Sequence, residues 1–186
     1  MRAAGWRGNG VPAGRLMVAL VLATTLGALA PPVVDAGPEL LDLREAVVVT
    51  SAQLPGPEEA ALDVLLDEVE KRSIIRWKVA HEWPADTTPV IAVGTAATAA
   101  EWAGSQASTL GPGDATLPAE GYRIRVVTEG RSAPAVLVAG NDSRGVLFGI
   151  GRLLQEMRMF REENRQVPGH VQLPADFEIT TAPDYG

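Results

Sequence analysis

Apolar residues recur along this chain with two different periods, and each period predicts a different kind of element. Within the segment Gly56–Ser73 the apolar positions follow the i, i+3, i+4, i+7 spacing of one helix face. These positions are Leu62, Leu65, Leu66 and Val69. A proline and two glutamates at the beginning of the segment suit the first turn of a helix. The segment therefore predicts an amphipathic helix.

Five other segments have the composition of strands. Ile75–Ala80 and Gly121–Thr128 alternate apolar and charged residues, which predicts strands with one solvent-exposed face. Three segments are apolar nearly throughout and predict buried strands: Ala46–Ala52, Pro89–Gly94 and Ala133–Gly140. The turn Glu-Gly-Arg-Ser separates the second alternating strand from the last apolar one, so these two are expected to pair as an antiparallel hairpin.

The remaining patterns complete the order of elements. We expect a short helix over Ala96–Ala103, a loop over 104–119, a closing helix from about Ser143 to Phe160 and an exit strand within 175–183. The order β-α-β-β-(short α)-β-β-α predicts an α+β fold of the mixed α/β sandwich type. Such a fold would have about five to six strands in a partly antiparallel sheet, with the two main helices on one face.

The N-terminal stretch has the composition of a secretory signal. Three arginines precede the apolar run Leu16–Ala30, and small residues and prolines follow it. The run is shorter than the roughly 20 residues that a membrane-spanning helix needs, which favours a signal over an uncleaved anchor. Cleavage after Ala36 would divide the chain into a signal peptide, 1–36, and a mature chain, 37–186. The mature chain would then be periplasmic or extracellular.

Charge and cysteine content exclude several classes of function. The mature chain holds 13 basic and 22 acidic residues, a formal charge of −9, and has no basic cluster. Nucleic acids and anionic lipids are therefore poor candidates for partners. The chain has no cysteine, which excludes disulfides, thiol nucleophiles and cysteine-ligated metals. An exported domain of this kind must be stabilised by its hydrophobic core.

The stretch Gly140–Met157 places a glycine-rich turn between a strand and a helix, as phosphate-binding loops do. Gly145 is followed by Val146, however, and not by the lysine and Ser/Thr of a Walker loop. Gly149 and Gly151 lack the third glycine of a dinucleotide fingerprint and lie too late in the helix to face a ligand. The sequence thus predicts no nucleotide and no other cofactor.

A structural interpretation explains this stretch better. Asp142 or Asn141 would cap the helix by accepting a backbone N–H. Gly145 and Gly149 are four residues apart and share a face, so we expect the helix to lie close against the sheet there, at a cost of about 1 kcal/mol for each glycine. Arg144 is unfavourable for the helix dipole and is expected to pair with a neighbouring surface or with Asp142. The predicted buried stripe consists of Leu147, Ile150, Leu153, Leu154 and Met157.

The same stretch carries a family resemblance. "VLVAGNDSRGVLFGIGRLLQEM", preceded by "EGYRIRV", resembles the end of the small α/β domain that precedes the catalytic barrel in several glycoside hydrolases. Family 20 β-N-acetylhexosaminidases and α-glucuronidases are the groups it is most similar to. Phe148 stands where tyrosine is usual. The shared positions are Gly121, Tyr122, Ile124, Val126, Asp142, Arg144, Gly145, Phe148, Gly149, Leu153, Leu154 and Gln155.

The resemblance implies an N-terminal α/β domain over 37–180, with 181–186 beginning a linker to a (β/α)8 barrel. In the family that barrel carries the catalytic carboxylates, so no catalytic residue has a counterpart in this sequence. We expect a non-catalytic accessory domain of a secreted glycoside hydrolase, packed against a catalytic barrel in cis or in trans, with a polysaccharide as a second candidate partner. The alternatives are a free-standing carbohydrate-binding or protein-interaction module and a small exported enzyme.

The remaining chemistry-bearing residues have simpler explanations. The adjacent pairs Glu58-Glu59 and Glu162-Glu163 would point apart on a helix, so both are interpreted as solvated charge. His81 and His170 have no zinc-binding spacing, and no metal is predicted.

Tryptophans can stack on sugar rings or lie in a core. Trp77 lies in the apolar register of its strand and is expected in the core. Trp83, which precedes Pro84 in a loop, is the best candidate for an exposed aromatic. Trp102 could face the sheet or a partner domain. Together with Arg144, Trp83 and Trp102 are the predicted interface or sugar contacts.

Overall fold

The computed structural model describes residues 39–110, 118–162 and 167–182. The predicted signal peptide, 1–36, and most of the predicted linker, 183–186, lie outside these ranges. In the described residues, nine strands and three α-helices are present. None of these helices combines the length and the apolar character that a bilayer crossing requires.

The bounds of the elements follow in chain order. They are β1 (Leu40–Asp42), β2 (Val47–Val49), α1 (Gly56–Ser73), β3 (Lys78–Ala80), β4 (Val90–Thr95), α2 (Ala99–Trp102), β5 (Tyr122–Val127), β6 (Ala135–Gly140), α3 (Ser143–Glu156), β7 (Arg158–Phe160), β8 (His170–Pro174) and β9 (Glu178–Thr181). Two 3₁₀ segments, Ala96–Thr98 and Gly104–Leu110, flank α2.

The main sheet has six strands in the order β3-β2-β4-β6-β5-β9. The first four are parallel to one another, and β5 runs antiparallel to both of its neighbours. The predicted hairpin is confirmed, since Tyr122 pairs with Gly140 and Val127 pairs with Ala135. Parallel and antiparallel pairing in one sheet confirms the predicted mixed fold.

Both faces of the sheet are covered, and the two main helices lie on the same face, as predicted. Along β4, Ile91 and Val93 pack against α1 and α3, whereas Val90 and Ala92 pack on the side of α2. This alternation follows from the two-residue period of a strand. Burial on both faces explains why β4 and β6 are apolar nearly throughout, because neither face meets water.

Helix α1 has the bounds that the sequence predicts. Pro57 lies in its first turn, and its apolar stripe is buried against the sheet. The helix ends because Ile74 adopts a left-handed backbone with φ of 64°, from which its N–H donates to the Glu70 carbonyl at 2.8 Å. The chain then turns back towards the sheet.

A second, three-stranded antiparallel sheet, in the order β1-β8-β7, is not predicted by the sequence. Its strands have three to five residues, too few to show a period. Helix α3 ends at Glu156, four residues before the predicted end at Phe160. Met157 has an extended backbone, and the residues after it pair with β8 and leave the helix.

Two other predicted bounds are wrong. The strand expected over Ile75–Ala80 contains only Lys78–Ala80, because Trp77 turns into the core and its Nε1 donates to the Leu43 carbonyl at 2.9 Å. The loop expected over 104–119 begins with the 3₁₀ segment Gly104–Leu110, while residues 111–117 lie outside the described ranges.

Candidate functional site

The candidate site is centred on the start of α3, where β6 delivers the chain to the helix. Asp142 stands between them with an extended backbone. Its Oδ1 accepts the backbone N–H of Gly145 at 2.8 Å, and its Oδ2 accepts the backbone N–H of Glu120 at 3.0 Å. One carboxylate therefore caps α3 and also fastens the loop that leads into β5.

Charge on Asp142 is stabilised by these contacts. Burial by itself would raise the pKa of the carboxyl, but hydrogen bonds from the backbone N–H groups of Gly145, Glu120 and Arg144 and the nearby Arg144 charge lower it. The net shift of the Asp142 pKa is downward. The group is thus held as a carboxylate, the form that can accept both N–H bonds.

Arg144 lies on the surface beside Glu120, and the two side chains pair at 2.5 Å. The Glu120 side chain is 11 % exposed and that of Arg144 is 74 % exposed. Glu120 also has a left-handed backbone with φ of 66°, which is unusual for a residue with a side chain. The sequence allowed Arg144 to pair with Asp142 or with a neighbouring surface. In the structure its side chain pairs with Glu120, on the neighbouring loop.

Glu58 is a correction to the sequence analysis, which interpreted it as solvated charge. It is 6 % exposed, and its Oε1 accepts the Ser143 hydroxyl at 2.9 Å. The bond joins the first turns of α1 and α3, which lie side by side on the sheet. Glu59 is exposed, Glu162 is half-buried against His170, and Glu163 lies outside the described residues.

The glycines of α3 have different surroundings. A Cβ on Gly145 would run into the backbone carbonyl of Gly121, and a Cβ on Gly149 would lie 2.9 Å from Val138 Cγ1. Both positions bring the helix backbone against the sheet. A Cβ on Gly151 would meet no described atom within 4 Å. Gly145 and Gly149 therefore serve packing inside the domain, whereas Gly151 does not.

The two tryptophans expected at an interface or a sugar site form one cluster on the α2 side of the sheet. Trp102 is fully buried over Gly94, and its Nε1 donates to the Thr95 carbonyl at 2.9 Å. Trp83 is half-buried, donates from Nε1 to the Trp102 carbonyl at 2.8 Å, and lies under the Arg131 guanidinium at 5.0 Å. Trp102 thus faces the sheet, and Trp83 covers it.

The outer face of α3 carries two adjacent exposed apolar side chains. Leu147 is 42 % exposed and Phe148 is 38 % exposed. They border an open groove of about 500 Å³ between α3 and β9, which we call the α3 groove. It is lined by Tyr122, Leu147, Phe148, Gly151, Arg152, Gln155, Thr181 and Ala182.

Leu147 is a second correction, because the sequence analysis placed it in the buried stripe. Val146 is buried in its place, next to Ile150 and Leu153. Both rotations of the helix satisfy the apolar period. The contacts of Gly145 and Gly149 with the sheet select the one that turns Leu147 outward.

No metal site is apparent in the described ranges, where no three His, Asp or Glu side chains form a group that could hold an ion. The acidic residues at the start of α3 are instead engaged by backbone N–H groups, Ser143 and Arg144.

Comparison with known proteins gives the family. The family model described as "Glycosyl hydrolase family 67 N-terminus" matches residues 39–153, more than half of the chain. The chain belongs to this family. The match runs from the residue before β1 into α3 and includes the whole start of that helix. The predicted resemblance to an N-terminal domain of glycoside hydrolases is confirmed.

Solved structures of larger enzymes contain a similar fold. A family GH115 4-O-methyl-α-glucuronidase with specificity for decorated arabinogalactans has a TM-score of 0.50 at 18 % identity, over 77 % of this chain and 18 % of that one. The GH20 β-N-acetylhexosaminidase from Streptomyces coelicolor A3(2) has a TM-score of 0.47 at 14 % identity, over 80 % of this chain and 24 % of that one. The β-N-acetylhexosaminidase from Bacteroides fragilis NCTC 9343 has a TM-score of 0.42 at 20 % identity, over 77 % and 21 %.

This chain therefore spans about a quarter or less of the length of these enzymes. At these identities the likeness to the GH115 enzyme shows the fold alone. No curated protein matches the chain.

Sequence reasoning missed two members of the site in this family 67 N-terminal domain. Glu120 directly precedes the Gly121-Tyr122 pair of the motif, but no local signal indicates its left-handed backbone. The exposure of Phe148 had no local signal either, because Val146, Leu147 and Phe148 are consecutive apolar residues and composition alone does not say which of them faces the sheet.

The glycines of the family 67 N-terminal domain permit a matched pair of substitutions. Gly145→Ala should destabilise the domain by roughly 2–4 kcal/mol, because its methyl group would meet backbone that cannot move aside. Gly151→Ala should be neutral or stabilise it by up to about 1 kcal/mol, because alanine favours the helix and meets nothing. Urea unfolding measures both. Equal changes in the free energy of unfolding for the two variants would mean that α3 does not pack closely against the sheet at Gly145.

The Asp142 contacts predict a pH-dependent stability. Asp142→Asn keeps an oxygen for Gly145 but presents an NH₂ group to the Glu120 N–H, so we expect a loss of about 1–3 kcal/mol at pH 7. Because the folded pKa is lowered, the wild-type advantage is present above the unfolded value of about 3.9 and disappears as the pH falls through the folded pKa.

Unfolding of wild type and variant from pH 7 down to about pH 3 checks this. The difference between them should shrink below about pH 4. Asp176→Asn, at an exposed aspartate, is the control and should show no such trend. A wild-type advantage that stays constant over this range would contradict a lowered Asp142 pKa.

Proposed function

We propose that this chain is a non-catalytic accessory domain of an exported glycoside hydrolase and that it packs against the catalytic barrel of that enzyme. The match of the family 67 N-terminus over residues 39–153 carries the proposal. The fold shared with a much longer glucuronidase supports it, because the part of that enzyme that is similar to this chain is 18 % of its length.

The use of the motif residues supports a structural role. Asp142 caps α3, Gly145 and Gly149 pack against the sheet, and Arg144 pairs with Glu120. A glycosidase needs one carboxyl group with a proton to donate and a second one able to attack or to activate water. Asp142, with both oxygens accepting backbone N–H groups and a lowered pKa, is suited to neither task.

The tryptophans give no support to a free-standing sugar-binding module. Trp77 is 7 % exposed, Trp102 is fully buried, and Trp83 is half-buried with Gly104 close to its ring and the Arg131 guanidinium over it. Sugar stacking needs open aromatic faces. The three tryptophans in the described ranges do not form an exposed row of such faces.

Assays of the purified chain test the absence of catalysis. We expect no hydrolysis of aryl glycosides of N-acetylglucosamine or glucuronic acid above a buffer blank, with an active glycoside hydrolase as positive control. Hydrolysis that disappeared in Glu58→Gln or Glu120→Gln, at a temperature where the variant is folded, would contradict the proposal. Such a result would place the chemistry on the domain's own carboxylates.

The export signal has a test of its own. Expressed from its own start codon in a bacterium, the protein should be recovered outside the cytoplasm with Gly37 as its first residue, as read by mass spectrometry. Leu20→Arg, which interrupts the apolar run, should leave the chain inside the cell with its N-terminus uncleaved. Export of that variant, or an intact N-terminus on the exported wild type, would contradict a signal peptide over 1–36.

A further inference from the structure

We infer that the α3 groove is the surface on which the catalytic domain docks. This inference rests on the proposed function and goes further by naming the face, its residues and the occupant. Four observations support it: paired apolar exposure, an unoccupied glycine, an unsatisfied arginine nitrogen and the course of the chain.

Two of the six exposed large apolar side chains in the described residues lie at the groove. Leu147 and Phe148 are adjacent in the sequence and line the same groove on α3. The other four are exposed to a similar extent but lie away from the groove, on α1, on β3, on β7 and before β8: Val64, Val79, Phe160 and Val167. Scattered apolar side chains are normal on a surface, whereas neighbouring ones around a concavity are typical of an interaction site.

Gly151 has no close packing contact among the described residues. A glycine inside a helix has a cost in stability relative to alanine. At Gly145 and Gly149 the close packing of the sheet accounts for that cost, but at Gly151 a Cβ would find open space in the described structure. Close approach of a partner's backbone or a bulky partner side chain to the helix at Gly151 would account for it there.

Arg152 contributes an unsatisfied donor at the same place. Its Nε is the single buried side-chain nitrogen or oxygen in the described residues that lacks a hydrogen-bond partner, although its terminal NH₂ group pairs with Glu156 at 2.6 Å. Leaving such a buried donor unpaired is destabilising. A carbonyl or carboxylate from a docked domain would let the guanidinium rearrange and recover that energy.

The course of the chain selects the occupant. β9 is the edge strand of the main sheet, and its last residue, Thr181, lines the groove together with Ala182, the last described residue. In an N-terminal domain the rest of the enzyme follows this exit. Tethering there gives the next domain a high effective concentration at the groove, so a moderate affinity is sufficient for docking.

Binding in trans tests the inference. The probe is the catalytic domain of a family 67 glycosyl hydrolase produced without its own N-terminal domain, titrated onto the full chain by calorimetry. We expect Phe148→Glu and Gly151→Leu each to raise the dissociation constant by about tenfold or more. The first variant would place a charge in the contact, and the second would place a side chain there. Val64→Glu, an equally exposed position on α1, should change it by less than about twofold.

Gly151→Leu makes the test independent of folding, because the Cβ of the new side chain would lie in open space and leucine favours a helix more than glycine does. Unfolding of each variant should show stability at or near that of the wild type. Binding that all variants retain would overturn the docking face and leave the accessory function standing. No binding by the wild type would overturn both. A wild-type dimer that Phe148→Glu dissociates would mean that the groove joins two copies of this chain, which overturns the catalytic domain as occupant.

Discussion

The hydrogen bonds from two backbone N–H groups to the Asp142 carboxylate fix the geometry on which the rest of the domain depends. One bond starts α3 at a defined residue, and the other holds the loop before β5 against that start. Since a helix rotates about 100° per residue, the residue at which it begins decides which side chains face the sheet. Asp142 thus sets the rotation of α3, and through it the division between core and surface.

The rotation is tightly constrained because the helix backbone itself touches the sheet. Gly145 lies against the Gly121 carbonyl, which also accepts the Asn141 N–H at 2.8 Å. Any side chain at position 145 would separate α3 from the hairpin. The contact also brings α3 close enough to α1 for Ser143 to reach Glu58, a buried carboxylate that the hydroxyl keeps hydrogen-bonded. Close packing of Gly145 on the hairpin thus permits the hydrogen bond between Ser143 and Glu58.

How much of this could be read from the sequence depends on whether the signal is local. The bounds of α1 and the β5–β6 hairpin were predicted correctly, because a helical period and a short turn are properties of neighbouring residues. The small sheet was missed because its strands are held by pairings such as Leu41 with Leu173, far apart in the chain. Glu58 was misread for the same reason: its partner, Ser143, is 85 residues away.

The rotation of α3 shows where period alone is insufficient. Leu147 and Val146 both fit an apolar stripe that continues through Ile150 and Leu153, so the hydrophobic pattern permits either to be buried. The glycines decide between them, because only a face without side chains can touch a backbone carbonyl. Once Gly145 and Gly149 face inward, Gly151 must turn towards solvent together with Leu147 and Phe148. Two glycines of one helix are therefore explained by the fold, and the third, which the fold does not use, marks the face on which a partner can come closest.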